Sequence, residues 1–150
     1  RLFNVIGLRQ TGFYGMVVPT FVQQALAGKP ITVFGDGQQT RCFTDIEDVV
    51  GALIKLMAEK EAIGKIINLG SDREISINEL AEKIKEEVKK QTDTISEINH
   101  VPYEQAYGAG FEDLRRRVPD LTQIKKLIDY QPKVTLEDSL KKIIDYFRSH

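Results

Sequence analysis

Short apolar runs that stop at glycine alternate along this chain with longer stretches whose apolar residues return every three or four positions, and that alternation constrains it to an α/β fold. Leu2, Phe3, Asn4, Val5 and Ile6 form a nearly continuous apolar run ended by Gly7, which predicts a strand buried on both faces. Between 16 and 27, Val17, Val18, Phe21, Val22, Ala25 and Leu26 keep helical spacing until Gly28 supplies a stop. Ile31 to Phe34 reads as a strand turned by Gly35-Asp36-Gly37, and Arg41, Cys42 and Phe43 begin another extended piece. Asp45 or Asp48 caps a helix whose stripe of Val49, Val50, Leu53, Ile54, Leu56 and Met57 is expected to face a core, and 65–69 reads as a further strand. Ser76-Ile77-Asn78-Glu79 is a capping box with Ile75 and Leu80 placed as its hydrophobic staple, so a helix is expected from there to about 90. A loop or weak strand over 91–99, a glycine-containing stretch after Tyr103, and helices over 122–128 and 135–147 complete one compact unit over 1–150, the last helix capped by Thr135.

Bulk properties then exclude several classes of function. With 21 basic against 22 acidic residues the net charge is −1, so no global field favours nucleic acid or anionic lipid, and an anion site has to be local. Arg115, Arg116 and Arg117 are too few to make a nucleic-acid footprint without a wider basic face. Cys42 is the only cysteine and His100 and His150 the only histidines, which rules out an intramolecular disulfide and a Cys/His metal constellation, and suits a reducing cytoplasm. No apolar run reaches the roughly 20 residues that span a bilayer. The start at Arg1, without Met, points to a cut end.

The string from Gly28 to Arg41, Gly-Lys-Pro-Ile-Thr-Val-Phe-Gly-Asp-Gly-Gln-Gln-Thr-Arg, followed by Phe43 and by Asp48, Val49 and Val50, resembles the extended short-chain dehydrogenase/reductases. Within them it looks most like UDP-glucose 4-epimerases and UDP-glucuronate decarboxylases. Arg1 to Val5, Pro19, the run Ile67-Asn68-Leu69-Gly70 and the run Arg115 to Asp120 follow in the family's order and spacing, so the resemblance covers nearly the whole chain. It implies the carboxyl-terminal substrate-binding part of such an enzyme, helices with short strands, beginning at a late Rossmann strand. The family's glycine-rich NAD turn and its Tyr-x-x-x-Lys pair are missing: residues four after the tyrosines at 14, 103, 107, 130 and 146 are Val18, Tyr107, Phe111, Val134 and His150. Position 18 is also where a third glycine would follow Gly12 and Gly15. NAD is therefore expected in the full-length parent and not on this chain alone, no catalytic residue is assigned, and the fragment is expected to be inactive. In place of the family's Gly-Pro-Arg turn stands Gly7-Leu8-Arg9, and without the proline a looser turn is expected there.

The resemblance also implies the ligand, a UDP-sugar or related nucleotide sugar converted through a 4-keto intermediate by an epimerase, with decarboxylation, dehydration and a thymidine nucleotide left open. Arg41 and Arg117 match the family's diphosphate-binding positions, where a planar guanidinium meets phosphate oxygens with a fork of donors, and Arg115 or Arg116 is the alternative to Arg117. Main-chain groups of Ile31 to Phe34, Val33 included, are expected to grip the base under apolar cover from Phe34 and Val17, and Asn4 to contact the substrate. Core packing is the competing reading for Phe34 and Val17, a buried structural hydrogen bond for Asn4, and helix capping for Asp48. The rival function is a non-catalytic binding or assembly module that pairs through the exposed edge of strand 2–6, giving a homo-oligomer.

Overall fold

The computed structural model of the protein describes residues 1–12, 16–107 and 113–150. Part of the glycine-containing stretch after Tyr103, together with Tyr14 and Gly15, lies outside the described residues. The chain is a mixed α/β structure in the order β1 (Val5–Ile6), α1 (Val17–Leu26), β2 (Ile31–Phe34), β3 (Thr40–Cys42), β4 (Thr44–Asp45), α2 (Ile46–Ala58), a 3-10 turn at Lys60–Ala62, β5 (Glu74–Ser76), α3 (Ile77–Thr92), β6 (Ile98–Val101), α4 (Tyr103–Tyr107), β7 (Arg116–Arg117), α5 (Thr122–Ile128) and α6 (Leu136–Ser149). Among the described residues three small sheets result: β1 beside β4, β2 beside β6, and β3 between β5 and β7. All pairs are parallel except β3 with β5.

The main core is a three-helix packing of α1, α3 and α6 against β2. Val18, Phe21, Val22 and Ala25 of α1 meet Leu80, Ala81, Ile84 and Val88 of α3, Leu140, Ile143 and Ile144 of α6, and Ile31 and Val33 of β2. Each large apolar side chain so buried contributes about 1.5–3 kcal/mol. Pro19 is harmless in the first turn of α1, where no helical acceptor awaits its missing N–H. Gly28 ends that helix with a φ of 64°, and Lys29 N–H donates back to Gln24 O at 3.0 Å. A second, smaller cluster joins Val49 and Ala52 of α2 to Leu69, Leu121, Ile124 and Tyr130.

The caps form as the sequence dictates. Glu79 N–H donates to Ser76 Oγ at 3.1 Å, Ser76 N–H to Glu79 Oε2 at 2.9 Å, and the staple residues Ile75 and Leu80 are both buried. Thr135 caps α6 through Asp138 N–H at 3.1 Å. Of the two candidates for α2 it is Asp45 that caps, accepting from Glu47 N–H at 2.8 Å. Asp48 instead accepts from the N–H groups of Lys133 and Val134 at 3.0 and 2.9 Å, and so ties the turn after Pro132 to α2.

Three expectations need correction. Strand 2–6 is broken at Asn4, whose φ of 39° is left-handed; only Val5–Ile6 forms a ladder, Leu2 makes an isolated bridge to Leu69, and Leu2 is 56% exposed rather than buried on both faces. Residues 65–69 form no strand beyond that bridge, and Ile66 is 67% exposed. On α2 the stripe splits: Val49 is buried, whereas Val50, Leu53, Ile54 and Met57 are 45, 43, 64 and 88% exposed. A helix apolar nearly all round can turn only one face to a core, so its remaining face lies open among the described residues.

Candidate functional site

A cavity of about 700 Å³ opens between the amino end of α1, the β2 strand, the β3/β7 pair and the segment before β1 ends. Asn4, Val17, Phe34, Arg41 and Arg117 all line it, although they come from five separate stretches of chain. The two arginines are brought together by strand register: in the parallel β3/β7 ladder Arg41 stands directly opposite Arg117, and register partners point to the same face of a sheet. Seventy-six positions apart in sequence, they are neighbours in space. Arg41 is 9% exposed, and its guanidinium donates from Nη1 to the carbonyls of Thr40 and Leu114 at 2.7 and 2.8 Å and from Nη2 to Asp113 Oδ1 at 2.6 Å. Arg117 is exposed and donates through Nη2 to Asn4 Oδ1, while Asn4 Nδ2 donates to Cys42 O at 2.8 Å. Asn4 thus performs the structural hydrogen bonding and still lines the cavity.

The alternative arginines turn away. Arg115 makes a two-pronged contact with Asp36 at 2.9 and 2.7 Å, and Arg116, one residue from Arg117 on the strand, projects to the opposite face and grips Glu74 at 2.7 Å. Their guanidinium groups hold both carboxyls below the usual range, the hydrogen bond from Arg115 being the leading cause at Asp36 and that from Arg116 at Glu74. Arg117 is the member of the triplet that faces the cavity.

Ile31 and Val33 are not brought to the cavity. Both side chains are fully buried in the core, and their stretch of backbone bonds toward β6, with Ile31 N–H donating to Glu97 O at 2.7 Å and Gly35 N–H to Val101 O at 2.9 Å. Alternate residues of a strand present their main-chain groups to opposite edges, so Thr32 and Phe34 supply the edge on the cavity side. Two glutamines dress that edge: Thr32 N–H donates to Gln24 Oε1 at 2.9 Å, and Gln39 Nε2 donates to Phe34 O at 3.1 Å.

Gln10, Gln39, Tyr103 and Asp113 are polar lining residues that were not singled out from the sequence. Gln39 Nε2 also donates to the Tyr103 hydroxyl at 2.8 Å, and that hydroxyl donates to Asp113 Oδ2 at 3.2 Å. Burial, then the nearby Asp113 charge, pushes the Tyr103 phenol up to about 12, so it stays protonated. A signal for Tyr103 did exist in Gly35: a Cβ there would lie 2.4 Å from the Tyr103 ring, so the turn must be glycine for the ring to sit on it. Nothing local marks Asp113.

Neither a glycine-rich strand-to-helix turn nor a tyrosine with lysine four residues on occurs in the sequence. Among the described residues no group of three His, Cys, Asp or Glu is placed to hold a metal, and no helix is long and apolar enough to cross a membrane.

Comparison with known proteins places the chain in a family. Residues 1–143 match the family model described as GDP-mannose 4,6 dehydratase. A UDP-N-acetyl-alpha-D-glucosaminuronate decarboxylase of Bacillus cytotoxicus is 44% identical over 99% of this chain and 45% of its own length. UDP-glucuronic acid decarboxylase 1 of Danio rerio is 39% identical over 98% of this chain and 32% of its own. Among solved structures, UDP-glucose 4-epimerase of Thermotoga maritima with UDP-glucose superposes with a TM-score of 0.83 at 32% identity, covering 99% of this chain and 45% of that one. UDP-glucuronic acid 4-epimerase of Bacillus cereus, in complex with UDP-glucuronic acid and NAD, gives 0.81 at 29% identity over 99% and 44%. The chain thus spans less than half the length of the relatives it matches. With the match running through all but the last seven residues, the chain belongs to the GDP-mannose 4,6 dehydratase family of extended short-chain dehydrogenase/reductases.

Proposed function

We propose that residues 1–150 are the nucleotide-sugar-binding part of an NAD-dependent enzyme that converts UDP-sugars through a 4-keto intermediate, the dinucleotide and the catalytic pair being supplied by a domain outside this sequence. The observation that carries this reading is the pairing of Arg41 with Arg117 on one face of the β3/β7 ladder at the wall of the cavity. Two arginines on register partners bring two planar forks of donors to one cavity wall, the chemistry that the oxygens of a diphosphate require. Phe34 and Val17 offer apolar cover to a pyrimidine and the Gln39 side chain offers amide chemistry beside it, consistent with relatives in complex with UDP-sugars. Epimerisation is our first assignment of the reaction. Decarboxylation is the second, favoured by the relative at 44% identity. By itself the chain binds without turning over, because catalysis needs a held hydride acceptor and a proton-transfer group within reach of the sugar.

Titration of the chain with UDP by calorimetry tests the reading. Arg41→Ala and Arg117→Ala are each expected to weaken binding about ten- to a hundredfold, the size of one charge-assisted contact of about 1.5–3 kcal/mol. Equal affinity in wild type and Arg41→Ala would remove it. An assembly module is the competing function, favoured by the open apolar face of α2. An oligomer whose mass and stability ignore UDP would support that instead.

A further inference from the structure

The buried cation of the cavity already carries an anion. Arg41, with 10% of its side chain exposed, is paired with Asp113 at 2.6 Å, and Asp113, 32% exposed, is steadied from its other oxygen by the Tyr103 hydroxyl at 3.2 Å. Gln39 in turn donates to Tyr103, so the four side chains form one chain of hydrogen bonds along the cavity wall. A guanidinium this buried is strongly destabilising without a counter-charge, and the carboxylate supplies it. Carboxylate and phosphoryl oxygens compete for the same donors in the same planar geometry. Both cannot hold the Nη2 edge of Arg41 at once.

We propose that Asp113 is a resident counter-ion that sets the affinity and selectivity of this anion site: a phosphate group of the ligand replaces its carboxylate on Arg41. The proposal rests on the diphosphate reading above. It explains how a half-exposed carboxylate sits in a cavity walled by two arginines, and it makes the site choosy. A ligand that reaches Arg41 alone trades one anion for another and gains little. A diphosphate also engages Arg117, the register partner that Asp113 leaves to Asn4, and so outcompetes the tethered carboxylate.

The test titrates the full chain with inorganic pyrophosphate and with UDP, as wild type, Asp113→Asn, Asp113→Ala and Tyr103→Phe, and records the melting temperature with and without UDP. Both Asp113 variants are expected to bind both ligands roughly tenfold more tightly, because the competitor for one charge-assisted bond is gone. Their ligand-free melting temperature falls while the rise on adding UDP grows. Tyr103→Phe, which removes only the hydroxyl that steadies Asp113, moves affinity the same way by a smaller factor. Pyrophosphate affinity that is unchanged or weaker in the Asp113 variants, with wild type binding normally, overturns the proposal and leaves the diphosphate reading intact. Weaker UDP binding with unchanged pyrophosphate binding overturns it too, by making Asp113 a contact for the nucleoside. Failure of every form, wild type included, to bind either ligand removes the site and the proposal together.

Discussion

Arg115, Arg116 and Arg117 are consecutive, yet only one of them faces the cavity, and the reason is the two-residue period of a strand combined with the carboxylates that wait on either side. Exposed pairs such as Arg115 with Asp36 contribute little, being solvated and screened. Arg115→Ala is therefore expected to leave UDP affinity within about twofold of wild type, whereas Arg117→Ala costs about tenfold; calorimetry on the two side by side separates them, and equal losses would mean that the triplet acts only as a diffuse charge. As lining of one cavity, Asn4, Phe34, Arg41 and Arg117 were legible because each sits in a run whose order matches the family, and Val17 from the helical spacing of its own segment. Ile31 and Val33 were drawn in with their strand, since a run of apolar residues does not reveal which edge another strand will cover. Asp113 was not legible, since neither its residue type nor its spacing announces it, and Tyr103 left only the indirect trace of the glycine at 35 on which its ring sits.

Elements with local chemistry behave as their sequences require. The capping box of α3 is one: Ser76→Ala is expected to cost about 1 kcal/mol, read as a lower denaturant midpoint with unchanged slope. Backbone N–H donation from Ser76, and then its hydroxyl, hold the Glu79 carboxyl below its ordinary 4.5. A folded pKa depressed in this way stabilises above the unfolded value and is lost as pH falls through the folded one, so stability should hold above about pH 5 and decline below the ordinary 4.5 of Glu79 and 3.8 of Asp72, which Lys125 likewise lowers. In Ser76→Ala the acid limb becomes shallower; a decline on the alkaline side of neutrality would contradict this assignment. The turn after β2 is the second case, because Gly37 has a φ of 69° and a Cβ there would fall 1.9 Å from Asn78 Oδ1. Gly37→Ala should destabilise by about 1–3 kcal/mol and loosen the cavity with it. Helices α1, α3 and α6 were legible through periodicity and caps, and β2 through its bounding turns. The short strands β4 and β7 were not, since two-residue ladders are set by what lies beside them.

At the scale of the whole molecule the main imbalance is on α2, where Val50, Leu53, Ile54 and Met57 present an apolar face that no described residue covers. Large exposed apolar faces mark association surfaces. The chain is expected to self-associate at micromolar concentration, and Ile54→Glu with Met57→Lys to restore a monomer; a wild-type monomer by light scattering that does not bind a hydrophobic dye would refute this. The stripe on α2 was visible in the sequence, but its periodicity could not say how much of it the rest of the chain would cover. The β3/β7 ladder holds the claim on which function depends, that Arg41 and Arg117 act on one diphosphate. Calorimetric titration of uridine and of UDP into wild type and the Arg41→Ala, Arg117→Ala double variant tests it most directly. The diphosphate should add at least about tenfold in affinity over uridine in wild type and almost nothing in the double variant. An increment of the same size in both proteins would contradict the account.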